Sequence, residues 1–123
     1  MIILPWPPKE LNPNARVHRM AKAKYAAVYK QECWAITKQS KVVAPEGNIH
    51  LKITFYTPNR QRRDLDNMHS AMKSGLDGVA LALGIDDQRF RPVTLDVAEV
   101  IGGMVKIELY PARHREAVIS PGP

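Results

Sequence analysis

A single cysteine, Cys33, stands in the 123-residue chain. One thiol excludes an internal disulfide framework and a four-cysteine zinc site, and it fits a reducing compartment. No apolar run approaches the ~20 residues that a membrane-spanning helix needs. The opening Met1–Pro5 run is short and stopped by prolines, unlike a secretory leader. A cytoplasmic protein without a membrane partner is expected. Internal repeats are absent, and at this length one domain is expected, able to bury about two-thirds of its unfolded surface without staples. Acidic residues are scarce in the first half. Positions 1–63 hold 12 Lys and Arg against Glu10, Glu32 and Glu46, a net of +9. Positions 64–123 hold six basic and nine acidic residues, a net of −3, and the halves sum to +6. A basic half beside an acidic one suits an enzyme working on nucleic acid, with plain solubility as the blander reading.

What is present concentrates between Arg60 and Asp87. Arg60, Arg62 and Arg63 lead into Asp64-Leu65-Asp66-Asn67, an amphipathic segment carrying Lys73 follows, and Asp86-Asp87 closes the stretch. On extended backbone Asp64 and Asp66 share a side, because successive side chains alternate. A helix-length segment then lets the chain double back and bring the second pair to the first. Oxygen-only carboxylate ligands select hard cations such as Mg²⁺, and adjacent arginines offer bidentate donors to phosphate. Together these residue types suggest metal-assisted phosphodiester hydrolysis. The alternative is structural: Asp66 or Asn67 as the N-cap of the next helix, and Asp86-Asp87 as a solvated turn. Convergence has a cost, since two carboxylates ~4 Å apart repel by roughly 4 kcal/mol at an effective dielectric of ~20. A cation would offset it.

Leu4-Pro5-Trp6-Pro7-Pro8, then Arg62-Arg63-Asp64-Leu65-Asp66-Asn67, then Asp86-Asp87 resemble, in that order, the RusA family of Holliday-junction resolvases, often phage or prophage encoded. The resemblance covers about positions 2–110 and implies a nuclease domain over 1–110, and 111–123, without an apolar period, reads as a flexible tail. It implies that Asp64, Asp66 and Asp87 bind Mg²⁺, with Asp86 in reserve. It also implies that the substrate is branched DNA, a four-way junction, nicked in pairs by a homodimer. The family's prototype carries a catalytic lysine four residues after the second core Asp, where this chain has Ser70. Lys73 is the nearest lysine, and it fits better when counted back from the later pair. On one continuous helix Asp66, Ser70 and Lys73 share a stripe, and Asp77 on that stripe is a partner for Lys73 or Arg62.

The remaining pattern supplies the scaffold. Ile2–Leu4 reads as a first strand, and Pro5, Pro7 and Pro8 force extended geometry around Trp6. Trp6 reads as a core plug, with a stacking surface for an exposed base as the alternative. The polar loop from Asn12 to Arg19, with Arg16 and Arg19, is expected on the DNA backbone together with Arg60, Arg62 and Arg63. Ala26, Tyr29, Cys33 and Ile36 recur at three and four residues, predicting a helix from about Met20 to Gln39 with Cys33 in the core. Ile49–Tyr56 alternates as a strand. Leu65, Met68, Met72, Leu76, Val79 and Leu83 mark the apolar side of a second helix over about Asn67–Leu83, stopped by Gly84. Val93 to Ile101 reads as a strand turned by Gly102-Gly103 into a return at Val105–Leu109. His69 has no recognised metal spacing. The expected architecture is α+β: a mixed sheet of about four strands with two helices packed on it. A non-catalytic nucleic-acid-binding module and a nuclease for other branched DNA stay open as alternatives.

Overall fold

The clearest alternation in the sequence becomes the centre of the sheet. In the computed structural model, which describes residues 1–112, β2 runs over Ile49–Tyr56, and Ile49, Leu51, Ile53 and Phe55 on its inner face are all 0% exposed. Burying four such side chains contributes roughly 6 to 12 kcal/mol, before the entropy of ordering them is subtracted. β1 (Ile2–Pro5), β3 (Phe90–Val97) and β4 (Met104–Pro111) complete a four-stranded sheet in the order β1-β4-β2-β3. β4 is antiparallel to both β1 and β2, whereas β3 is parallel to β2. The chain is α+β with a mixed sheet, as the sequence predicts. No helix among the described residues is long and apolar enough to cross a membrane.

Three helices cover one face. α1 spans Arg19–Ser40 and buries Tyr29, Cys33 and Thr37; α2 spans Leu65–Ala71; α3 spans Lys73–Leu83. α1 and α3 touch almost backbone to backbone. A Cβ built on Gly78 would lie 2.3 Å from the Lys30 carbonyl oxygen, and one on Gly75 would lie 2.5 Å from the Tyr29 ring. Both glycines lower helix propensity, and this contact is what requires them. Tyr29 ties the packing to the N-terminus: its hydroxyl donates to the Pro5 carbonyl at 2.7 Å and lies 3.3 Å from Met72 Sδ.

The second helix is not continuous. The Met72 N–H bonds back only three residues, to His69 O at 3.0 Å, and α3 starts afresh at Lys73. Ser70, Lys73 and Asp77 nevertheless line one hollow across this break, as the shared stripe predicts, and Asp66 does not join them there. Leu65, expected on the apolar side, opens α2 and is 37% exposed.

The expected hairpin at Gly102-Gly103 does not form. β3 and β4 lie on opposite sides of β2, so the connection passes across the end of that strand. The Ala98 N–H bonds Phe55 O at 2.9 Å on one side, and the Gly103 N–H bonds Tyr56 O at 2.7 Å on the other. Val100 and Ile101, read as strand, sit in this exposed crossing. Pro111, assigned to the tail, ends β4 opposite Ile49, and Ala112 N–H bonds Asn48 O. The rest of the proposed tail, 113–123, lies outside the described residues.

Candidate functional site

Asp64 sits where loop becomes helix. Its backbone is extended (φ −82°, ψ 125°), and its Oδ1 accepts from the N–H groups of Asp66 at 2.8 Å and Asn67 at 3.2 Å. It is the N-cap of α2, a role the sequence reading gave to Asp66 or Asn67. Asp66 belongs to the first helical turn, so strand alternation does not set its direction. The cap bond itself keeps the two residues adjacent. Both carboxylates are exposed. Asp66 accepts no hydrogen bond from the described residues, and Asp64 only those to Oδ1.

The preceding arginines are held differently. The Arg63 side chain donates from one terminal nitrogen to the carbonyls of Asn59 (3.2 Å) and Gln61 (3.1 Å), and its guanidinium lies 5.6 Å over the Trp6 ring. Trp6 in turn meets Phe55 edge-on at 5.9 Å, so the expected core plug packs against the core while remaining half-buried. Arg62 is exposed. Arg62, Arg63 and Asp64 share the wall of a hollow of about 660 Å³ with Trp6, Asn67 and Arg16, the last brought in by the N-terminal loop. Arg16, Arg62 and Arg63, named from sequence as DNA contacts, are thus gathered at one place. Arg19 lines a neighbouring hollow of about 510 Å³, and Arg60 another of about 240 Å³.

The later pair divides its roles. Asp86 caps the 3₁₀ turn Asp87–Arg89, its Oδ1 accepting from Gln88 N–H at 2.8 Å. Asp87 instead lines a hollow of about 360 Å³ with His69, Ser70, Lys73 and Asp77, so both candidates for the lysine position stand near it. Asp77 forms no ion pair within 4.0 Å with Lys73 or Arg62, against the sequence expectation. Asp87 comes three residues before Phe90, which faces the first residue of β2, whereas Asp64 follows that strand's far end. Within this chain Asp87 shares a hollow with Ser70 and Lys73, and Asp64 shares another with Arg16 and Asn67. Among the described residues no three of His, Cys, Asp and Glu are gathered closely enough to hold a metal ion.

Mg²⁺ asks less than a full protein cage: one or two carboxylates, with water and substrate phosphate completing the shell. The hard oxygens of Asp64 and Asp66 fit that demand, and the cap bonds orient Asp64 as outer hydrogen bonds orient metal ligands generally. Burial pushes the Tyr29 phenol upward and the Cys33 thiol up to about 12, so both stay neutral core groups. Sequence reasoning missed Tyr29 as the anchor of the Trp6 segment, because no local pattern marks a contact across 24 residues.

No protein-family model matches the chain. An uncharacterized protein of Xylella fastidiosa is 47% identical to it over 93 residues, covering 72% of this chain and 61% of the relative. The chain thus spans about three-fifths of that relative's length.

Proposed function

We propose that the chain is a Mg²⁺-dependent endodeoxyribonuclease that cuts branched DNA, with the four-way junction as substrate and a homodimer as the working form. The observation that carries the reading is the meeting of Asp64 with Arg16, Arg62 and Arg63 around one hollow, beside an unencumbered Asp66. The Asp64 carboxylate, suited to a hard cation, and guanidinium groups suited to a polyanion then line the same hollow. Asp64 and Asp66 would hold Mg²⁺, beside the arginines that would bind the strand. A Mg²⁺ held by these carboxylates would supply Lewis acidity for phosphodiester hydrolysis. Arg16 and Arg62 fix the strand by its phosphates, and the exposed Lys73 steadies negative charge on the phosphate. Asp87 and the reserve Asp86 enter the ion's ligand set on the family resemblance alone. That resemblance also supplies the junction and the paired nicks; a two-fold junction is matched by a two-fold enzyme with two equivalent sites.

One observation favours a second reading. Asp64 and Asp86 each direct an oxygen to a backbone cap, which is what a non-catalytic nucleic-acid-binding module would retain them for. Incubating the protein with end-labelled four-way junction, flap and linear duplex, with and without Mg²⁺, separates these readings. Mg²⁺-dependent paired nicks in the junction support the proposal. Retention of junction without any cleavage supports the binding module, and equal cutting of flaps supports a broader branched-DNA nuclease.

A further inference from the structure

The hollow beside Asp64 carries groups that phosphate binding does not use. We propose that it receives one unstacked nucleobase of the bound strand, a reading that rests on nucleic acid being the ligand at Arg16 and Arg62. Arg63 is the first reason. Two backbone carbonyls and the Trp6 ring fix its guanidinium plane, giving a flat cation on an aromatic support. Bases outside a duplex are commonly held on such guanidinium and aromatic planes. The second reason is the carboxamide set, Asn12, Asn14, Gln61 and Asn67, on the same walls. Phosphate only accepts hydrogen bonds, so carboxamide acceptors serve it poorly, whereas a base edge presents donors and acceptors together.

The walls are also set in advance. Asn12 Oδ1 accepts from Asn14 N–H at 2.9 Å, Ala15 N–H bonds Asn12 O at 2.9 Å, and a 3₁₀ turn at Lys9–Leu11 precedes them. Tyr29 pins the Pro5 carbonyl immediately before Trp6. Little ordering is left for the ligand to impose, which favours binding. At about 660 Å³ the hollow falls within the ~300–1,000 Å³ common for small-molecule sites.

The test uses the wild-type protein with ¹⁵N-labelled tryptophan, whose two indole N–H signals, Trp6 and Trp34, are assigned with a Trp34→Phe sample. Deoxynucleoside 5′-monophosphates are titrated in parallel with deoxyribose 5-phosphate and inorganic phosphate. A base pocket predicts a saturable shift of the Trp6 signal alone, with the sugar phosphate at least about tenfold weaker. Asn14→Ala and Asn67→Ala should each weaken nucleotide binding about fivefold, the loss of roughly one hydrogen bond of ~1 kcal/mol. Equal responses to nucleotide and sugar phosphate, or an unmoved Trp6 signal, overturn the proposal. The titration involves no cleavage, so inactivity of the nuclease and failure of the pocket are separate outcomes.

Discussion

Replacing Asp64 by Asn and by Ala separates the two roles that this side chain combines. As a cap, its Oδ1 satisfies the Asp66 and Asn67 amides at 2.8 and 3.2 Å. Asn caps about as well as Asp, so Asp64→Asn should lose only the favourable charge at the helix start, about 0.5 kcal/mol. Asp64→Ala loses both bonds as well, about 1 to 2 kcal/mol in total. For a domain of this size that separates the two variants by about 2 to 6 °C in Tm. Cleavage should not follow the same order. If Asp64 is an ion ligand, both variants forfeit about 3 kcal/mol of metal-assisted stabilisation, a hundredfold loss in single-turnover rate. Thermal unfolding and junction cleavage on the same samples check this. An Asn variant that cuts at the wild-type rate would remove Asp64 from the chemistry. An Asn variant that melts with the Ala variant would refute the cap assignment.

Lys73→Ala should slow single-turnover cleavage more than it weakens junction binding, and an unchanged rate would clear it of a catalytic part. Junction affinity should fall steeply as salt rises, because phosphate neutralisation releases counterions; a flat titration would take the basic half out of the interface. Gly78→Ala places a Cβ 2.3 Å from a backbone carbonyl, and the forced separation of α1 from α3 should cost about 1 to 3 kcal/mol in denaturant unfolding, outweighing the ~1 kcal/mol propensity gain. Burial raises the Cys33 thiol to about 12 from 9.0. The unfolded chain therefore releases this proton first, and the contribution of the neutral thiol is complete below about pH 9 and lost as pH rises towards 12. Unfolding titrations from pH 8 to 11 should show falling stability, with a shallower fall in Cys33→Ala.

Periodicity made the scaffold legible. Strict alternation marked β2 over Ile49–Tyr56, and the three-and-four spacing of Tyr29, Cys33 and Ile36 marked α1. Pairing partners were not legible, because a period of two specifies which face a residue takes and not which strand lies beside it. Gly102-Gly103 therefore resembled a hairpin, although its amides bond the end of β2. The break at Met72 carries no glycine or proline to announce it; it lies where Tyr29, far away in sequence, meets the chain. At the site, the charged composition of Arg62–Asn67 marks where the candidate residues lie, and the N-cap is Asp64, two or three residues before the Asp66 or Asn67 that the sequence suggests. Which hollow each carboxylate lines, Asp64 with Arg16 and Asp87 with Ser70 and Lys73, follows from packing that residue types alone do not reveal.

Asp66 offers the most direct test, since its carboxylate takes part in no cap bond and its removal should leave the fold intact. Single-turnover cleavage of an end-labelled four-way junction, wild type against Asp66→Asn across a Mg²⁺ titration, should show Mg²⁺-dependent cutting that the substitution reduces at least a hundredfold, about 3 kcal/mol, while the lost first-turn charge lowers Tm by only about 2 °C. Equal cutting by both proteins, or cutting indifferent to Mg²⁺, would contradict a metal-dependent site at the head of α2.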